Sequence, residues 1–203
     1  MIAWKNRLAL DRVVKSVRNR ARLGATRLRG EATRHLSLGA LRAGKRLQIG
    51  QSVRLIIYGE LVLGDDVSLS DGCMLEVGPH GRLVIGNGVF VGRNSVIAAQ
   101  DSVEIGDHVL IGEHCSIRDQ DHHVDPDERL RETRSVAASV VVEANVWVCA
   151  GVRILRGCRI GSGAVLAANA VVRQDIPARM IAGGVPAKIL GPTSARKQVS
   201  PRQ

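Results

Sequence analysis

The sequence predicts an all-β fold, a parallel β-helix of hexapeptide coils, with a basic α-helical arm in front of it. Three observations carry this. From Val142 onward every sixth residue is aliphatic: Val148, Ile154, Ile160, Leu166 and Val172. Four residues after each of these stands a second small or apolar residue: Val146, Val152, Cys158, Ala164, Ala170 and Ile176. Aromatic residues make up only 2% of the chain, which suits a narrow prism filled by Val, Ile, Leu and Ala. Neither a helix nor a strand period sustains a strict repeat of six. A coil of short flat sides joined by tight turns does, because each side turns one aliphatic residue inward to stack on its counterpart in the next coil.

The arm is read from charge and spacing. The net charge is +10, and residues 1–47 hold 13 Lys/Arg against Asp11 and Glu31. The remainder is close to neutral, so the basic character belongs to the arm. Leu10, Val14, Val17, Ala21, Ala25, Leu28, Ala32 and Leu36 recur at spacings of three or four, which predicts helix over 4–38. Gly24 and Gly30 allow two helices or one bent helix. Such a helix packs on its own domain or on a sister subunit with a solvated basic face, or residues 1–43 make a peripheral contact with an anionic membrane surface. Nucleic acid is not expected as a partner, since no aromatic interleaving or binding motif accompanies the charge.

The repeat begins near Ile49-Gly50. Leu63, Leu69 and Leu75 form one triplet, Ile85, Val91 and Ile97 the next, and Ile105, Ile111 and Ile117 a third. Extra residues such as 77–82 read as turn bulges. This divides the chain into the arm at 1–47, the β-helix at 48–191 and a polar, disordered tail at 192–203. The four cysteines form no CxxC pair, and Cys73, Cys115 and Cys158 fall on inward positions as small core residues. No apolar run reaches transmembrane length, and arginine throughout the N-terminus leaves no signal-peptide core. A cytoplasmic location is expected, at the inner membrane face if the arm binds lipid.

The ladder breaks between Arg118 and Ser139, where RDQDHHVDPDERLRETRSVAAS contains no hexad. A long charged excursion from a rigid scaffold is where a site is expected. Its adjacent histidines, His122 and His123, are candidates for proton transfer, and Asp119 and Asp121 are candidates for a carboxylate that orients the ring.

IGDHVLIGEHCSI, DQDHH, VEANVWVCAGVRILRGCRIGSGAVLAANAVVRQDIP and AGGVPAKIL together resemble the hexapeptide-repeat acyltransferases. The resemblance is to the maltose and galactoside O-acetyltransferase branch, and more closely to enzymes that acetylate surface polysaccharides. It spans Ile105 to Gly191 and leaves the arm uncovered. It implies a left-handed β-helix, a homotrimer with active sites in the clefts between subunits, and acetyl-CoA as co-substrate with no metal required. It implies a glycan or small-molecule acceptor. By the family's pattern His122 is the general base, with His123 the adjacent alternative, and the backbone N–H of Ala150 supports the oxyanion. Trp147, Ala150, Ala168, Arg173 and Lys188 match the positions beside coenzyme A.

Several residues depart from the family pattern. Cys149 replaces the usual glycine, and Gln174 replaces a lysine of many relatives. Gly92 and Gln100 stand where galactoside enzymes carry Asn and Asp, so Asn94 and Asp101, with His123, are the substitute acceptor contacts. Two further readings share the scaffold. One is a γ-carbonic-anhydrase-like metal enzyme, for which His108 and His114 are histidines to consider, and the other is a non-catalytic structural trimer.

Overall fold

The structure, a computed structural model, describes residues 41–127, 129 and 135–195. It is a three-sided parallel β-solenoid. The first face stacks Leu41–Ala43, Glu60–Leu63, Arg82–Ile85, Ser102–Ile105, Val140–Val142 and Arg159–Ile160. The second stacks Gln48–Ile49, Ser68–Leu69, Phe90–Val91, Leu110–Ile111, Trp147–Val148 and Val165–Leu166, then Met180–Gly183 and the antiparallel Lys188–Pro192. The third stacks Arg54–Ile57, Met74–Val77, Val96–Ala99, Ser116–Arg118, Arg153–Ile154 and Val171–Val172.

The register explains the period of six. Ile49, Leu69, Val91, Ile111, Val148, Leu166 and Ala182 lie directly above one another on the second face. Leu55, Leu75, Ile97, Ile117, Ile154 and Val172 do so on the third. All of these but Leu55, at the open lower end, are buried. Burying each aliphatic side chain contributes about 1.5–3 kcal/mol, so the ladder supplies most of the driving force. The residues four positions on fill the corners, among them Val109, Cys115, Val146, Val152 and Cys158. Ser95 is the polar member of this set. Its Oγ–H donates to the Gly112 carbonyl (2.9 Å) and its oxygen accepts the Cys115 N–H (3.0 Å), so the hydroxyl is buried without loss.

The first rung lies at Leu41–Ala43, paired with Leu61–Leu63, inside the stretch that composition assigns to the arm. Only two inward residues mark it, flanked by arginine and lysine, and the charge masks them. The helices expected at 4–38 and their membrane contact lie outside the described residues, as does the tail beyond residue 195. Strand extends to Pro192, and Thr193–Ala195 form a 3-10 turn.

Cys73, Cys115 and Cys158 are buried, whereas Cys149 is half-buried. Burial raises the first two thiols, and burial followed by the Asp175 charge pushes Cys158 up to about 11. At pH 8 these thiols are neutral and shielded, hence poor nucleophiles. Alkylation of the native protein at that pH is expected to label Cys149 first. Peptide mass spectrometry showing equal early labelling of Cys158 would contradict the packing.

Candidate active site on the edges of the prism

The excursion leaves the edge between the third and first faces. Gln120–His122 pairs antiparallel with Ser135–Ala137, placing His122 opposite Ser135. His122 is exposed and His123 half-buried. Neither candidate carboxylate holds a ring. Asp119 is fully buried, and its oxygens accept the N–H groups of Gln100 (2.9 and 3.0 Å) and Asp101 (2.8 Å) in the coil below. Asp121 accepts Nε–H of Arg156 in the coil above at 2.9 Å. Asp101 accepts the hydroxyl of Ser139 at 2.8 Å. The residues predicted to orient the base therefore brace the excursion instead.

Ala150 and Ala168 occupy a different edge, between the second and third faces, one coil apart. The backbone there has an informative pattern. On the edge between the first and second faces, three turn amides of the lower coils are capped from the coil above. Asp65 accepts Lys45 N–H (2.7 Å), Asn87 accepts Asp65 N–H (2.8 Å) and Asp107 accepts Asn87 N–H (2.6 Å). On the edge of Ala150, Asp71 caps Gln51 in the same way (2.8 Å). Higher up, the residue at this turn position is Arg93, Glu113, Ala150 and then Ala168. Above Ala150 stands a methyl group where an Asp or Asn would cap, so the Ala150 N–H has no side-chain acceptor among the described residues. The Ala150 carbonyl is used, accepting Asn169 N–H at 2.9 Å. A Cβ on Gly112 would lie 2.6 Å from the Ala150 nitrogen, so glycine beneath it allows the turns to stack this closely. Arg153 locks the same turn, its Nη1 donating to the carbonyls of His114 and Gly151, both at 2.7 Å.

The other predicted residues divide between these places. Asn94 is a turn residue on the Ala150 edge with φ of 56°, apart from Asp101 on the His122 edge. Trp147 lies on the second face beside Leu110 and Val165 and is 38% exposed. Phe90, Leu110 and Trp147 form an exposed apolar column there, a feature that the low aromatic count conceals. Lys188 is exposed at the top of that face, while Arg173 and Gln174 are exposed above Arg156 on the His122 edge. His108 and His114 are left-handed turn residues, with φ of 57° and 58°, on two different edges. That conformation is one that His, Asn and Asp adopt more readily than most residues.

Arg156 stands six positions beyond Ala150, across the third face. At about 3.3 Å per residue the two edges are roughly 20 Å apart, well beyond the reach of an imidazole. One chain thus displays an exposed imidazole on one edge and, on another, a backbone N–H without a side-chain acceptor among the described residues.

Residues 139–174 match the bacterial transferase hexapeptide family (six repeats). No curated protein matches the chain. Among solved structures, the chain is similar to a point mutant of AntD, an N-acyltransferase from Bacillus cereus in complex with dTDP-4-amino-4,6-dideoxyglucose and coenzyme A. The TM-score is 0.69 at 18% identity, over 83% of this chain and 89% of that one. AntD in complex with dTDP and 3-hydroxybutyryl-CoA gives 0.66 at 18% identity, over 75% and 84%. The hexapeptide-repeat acetyltransferase VCA0836 from Vibrio cholerae gives 0.53 at 24% identity, over 84% and 92%. The ladder runs in register from coil to coil and the late coils at 139–174 match the transferase hexapeptide, so the chain folds as a parallel β-solenoid of hexapeptide repeats.

Proposed function

We propose that the protein is a coenzyme A-dependent acyltransferase that moves an acetyl group from acetyl-CoA to a sugar hydroxyl in surface polysaccharide or glycan biosynthesis. The observation that carries this reading is the uncapped Ala150 amide under Ala168, facing an edge with small side chains. A thioester carbonyl can approach such an amide, and its oxygen gains a hydrogen bond as negative charge develops on it. His122 takes the proton of the attacking hydroxyl. The new C–O bond forms a tetrahedral intermediate whose oxyanion the Ala150 N–H supports. The C–S bond then breaks, and the imidazolium returns its proton to the departing thiolate. Acyl transfer to sugars is supported by the solved relatives, of which AntD acts on nitrogen. The exposed imidazole of His122 is suited to a hydroxyl, which needs a base more than a neutral amine does.

The distance between the edges implies that the site is composite. In a homotrimer the His122 edge of one copy meets the Ala150 edge of the next, and acetyl-CoA lies between them. Trp147, Arg173 and Lys188 are placed in this reading on the walls around the cofactor. Asn94 and Asp101, from neighbouring copies, would face the same cleft with His123.

Ala168→Asp restores the cap seen on the other edge and fills the space above the amide. It is expected to preserve thermal stability and to weaken acetyl-CoA binding at least about tenfold, equivalent to 1.4 kcal/mol. Co-folding this variant with His122→Ala, at acetyl-CoA too dilute to fill the Ala168→Asp clefts, should raise thiol release above either variant alone, because mixed trimers contain some clefts with both edges intact. Mixed oligomers with no recovered turnover would refute the composite site, and unchanged acetyl-CoA binding by Ala168→Asp would refute the role of the edge.

A further inference from the structure

Asp119 is the only fully buried charged side chain among the described residues. A buried carboxylate is costly unless hydrogen bonds replace its water. Here the Gln100 and Asp101 amides do so at 2.8–3.0 Å. The same residue also holds the far end of the excursion, since its carbonyl accepts the Ala138 N–H at 2.8 Å. Next to it, Asp101 accepts the Ser139 hydroxyl at 2.8 Å. Both ends of the excursion are therefore tied to one turn, Gln100–Asp101. From above, Gly157 donates its N–H to the Ala138 carbonyl at 2.9 Å.

These ties have unequal weights. The Asp121–Arg156 ion pair is exposed on both sides (55% and 40%), so solvent screens it and it is a weak hold. The Asp119 contacts are charge-assisted and shielded from water, which makes them the stronger fixed point. His122 follows Asp119 by three residues, in a strand held against Ser135–Ala137. A hairpin rooted this way carries its side chains in a defined direction, whereas a free charged loop of this length would not.

We propose that Asp119 is a positioning residue: its buried carboxylate, with the Asp101–Ser139 bond, brackets the root of the excursion and thereby sets where His122 stands in the acyl-transfer cleft. It acts through the hairpin and does not touch the imidazole. The proposal rests on His122 as the base, and its test has a readout independent of that assignment.

Amide hydrogen exchange and steady-state kinetics are measured on the full chain for Asp119→Ala, Asp119→Asn and Ser139→Ala. Asp119→Ala is expected to accelerate exchange at 120–122 and 135–138 while the coils at 105–117 and 153–160 keep their protection. Its kcat should fall about 100-fold, the scale of a 1 Å misplacement, while the KM for acetyl-CoA stays within about twofold. Asp119→Asn keeps one acceptor oxygen and should recover part of the kcat. Ser139→Ala leaves no buried amide bare and should shift both readouts in the same direction by less, which decides the matter if Asp119→Ala does not fold. Unchanged exchange at the hairpin in Asp119→Ala and Ser139→Ala, or faster exchange with undiminished kcat, overturns the proposal. Activity retained in His122→Ala would remove the base assignment and leave the exchange result, and so the bracket itself, standing.

Discussion

Replacing His122 by alanine is expected to lower kcat for acetyl transfer by about 10²–10⁴-fold, the usual contribution of a positioned general base. This corresponds to a loss of roughly 2.7–5.4 kcal/mol of transition-state stabilisation. The KM for acetyl-CoA should change little, because the residues assigned to the cofactor, Arg173 apart, stand on other parts of the prism. Since His122 is exposed, its removal should alter stability by no more than about 0.5 kcal/mol. Thiol release from acetyl-CoA in the presence of a sugar acceptor is the measurement, with His123→Ala as the control. His123 is half-buried next to the base and is assigned to the acceptor, so its variant should raise the KM for the sugar while keeping most of kcat. Full turnover in His122→Ala with His123 intact would sink the assignment, and loss confined to His123→Ala would move the base by one residue.

The largest expected effect on stability comes from the ladder. Ile111 is 1% exposed and lies between Val91 and Val148 in successive coils. Ile111→Ala removes side-chain contacts from three coils together and leaves a cavity that the stacked backbones cannot close. A cost of about 2–5 kcal/mol follows, a large part of the 5–15 kcal/mol typical of a domain. The neighbouring Leu110 points outward and is 51% exposed, so Leu110→Ala should cost no more than about 0.5 kcal/mol. Ile111→Val should fall between, at about 0.5–1.5 kcal/mol. Urea denaturation of the three variants checks the order. Equal midpoints for Ile111→Ala and Leu110→Ala would contradict the alternation of faces.

The inward side of the solenoid was legible because burial is periodic. Each aliphatic residue at the sixth position, and each small residue four places on, is buried where the pattern puts it, Cys115 and Cys158 included. The excursion was legible for the converse reason, as a charged stretch with no hexad. Leu41–Ala43 was not, because a strand of three residues amid Arg42, Lys45 and Arg46 carries too little apolar signal to stand out from the arm. The role of Asp119 was also hidden. Its partners Gln100 and Asp101 lie 18–19 residues back, and nothing local distinguishes it from Asp121, which is exposed and held by Arg156.

By itself the sequence determined which residues face the core, that the chain coils rather than folds into layers, and where the coil is interrupted. A period of six is enough for that, since inwardness depends only on position within one side. Which edge a residue occupies depends on position within a whole coil, and the bulge at 77–82 and the excursion at 118–139 reset that count. Only the tertiary structure therefore decided that His122 and Ala150 stand on separate edges. It also decided that the Ala150 amide has no side-chain acceptor among the described residues, because the side chain that would cap it belongs to the coil above, 18 residues further on. Capping and bracing are contacts between coils, and their strength follows from register and burial, which no single stretch of sequence contains.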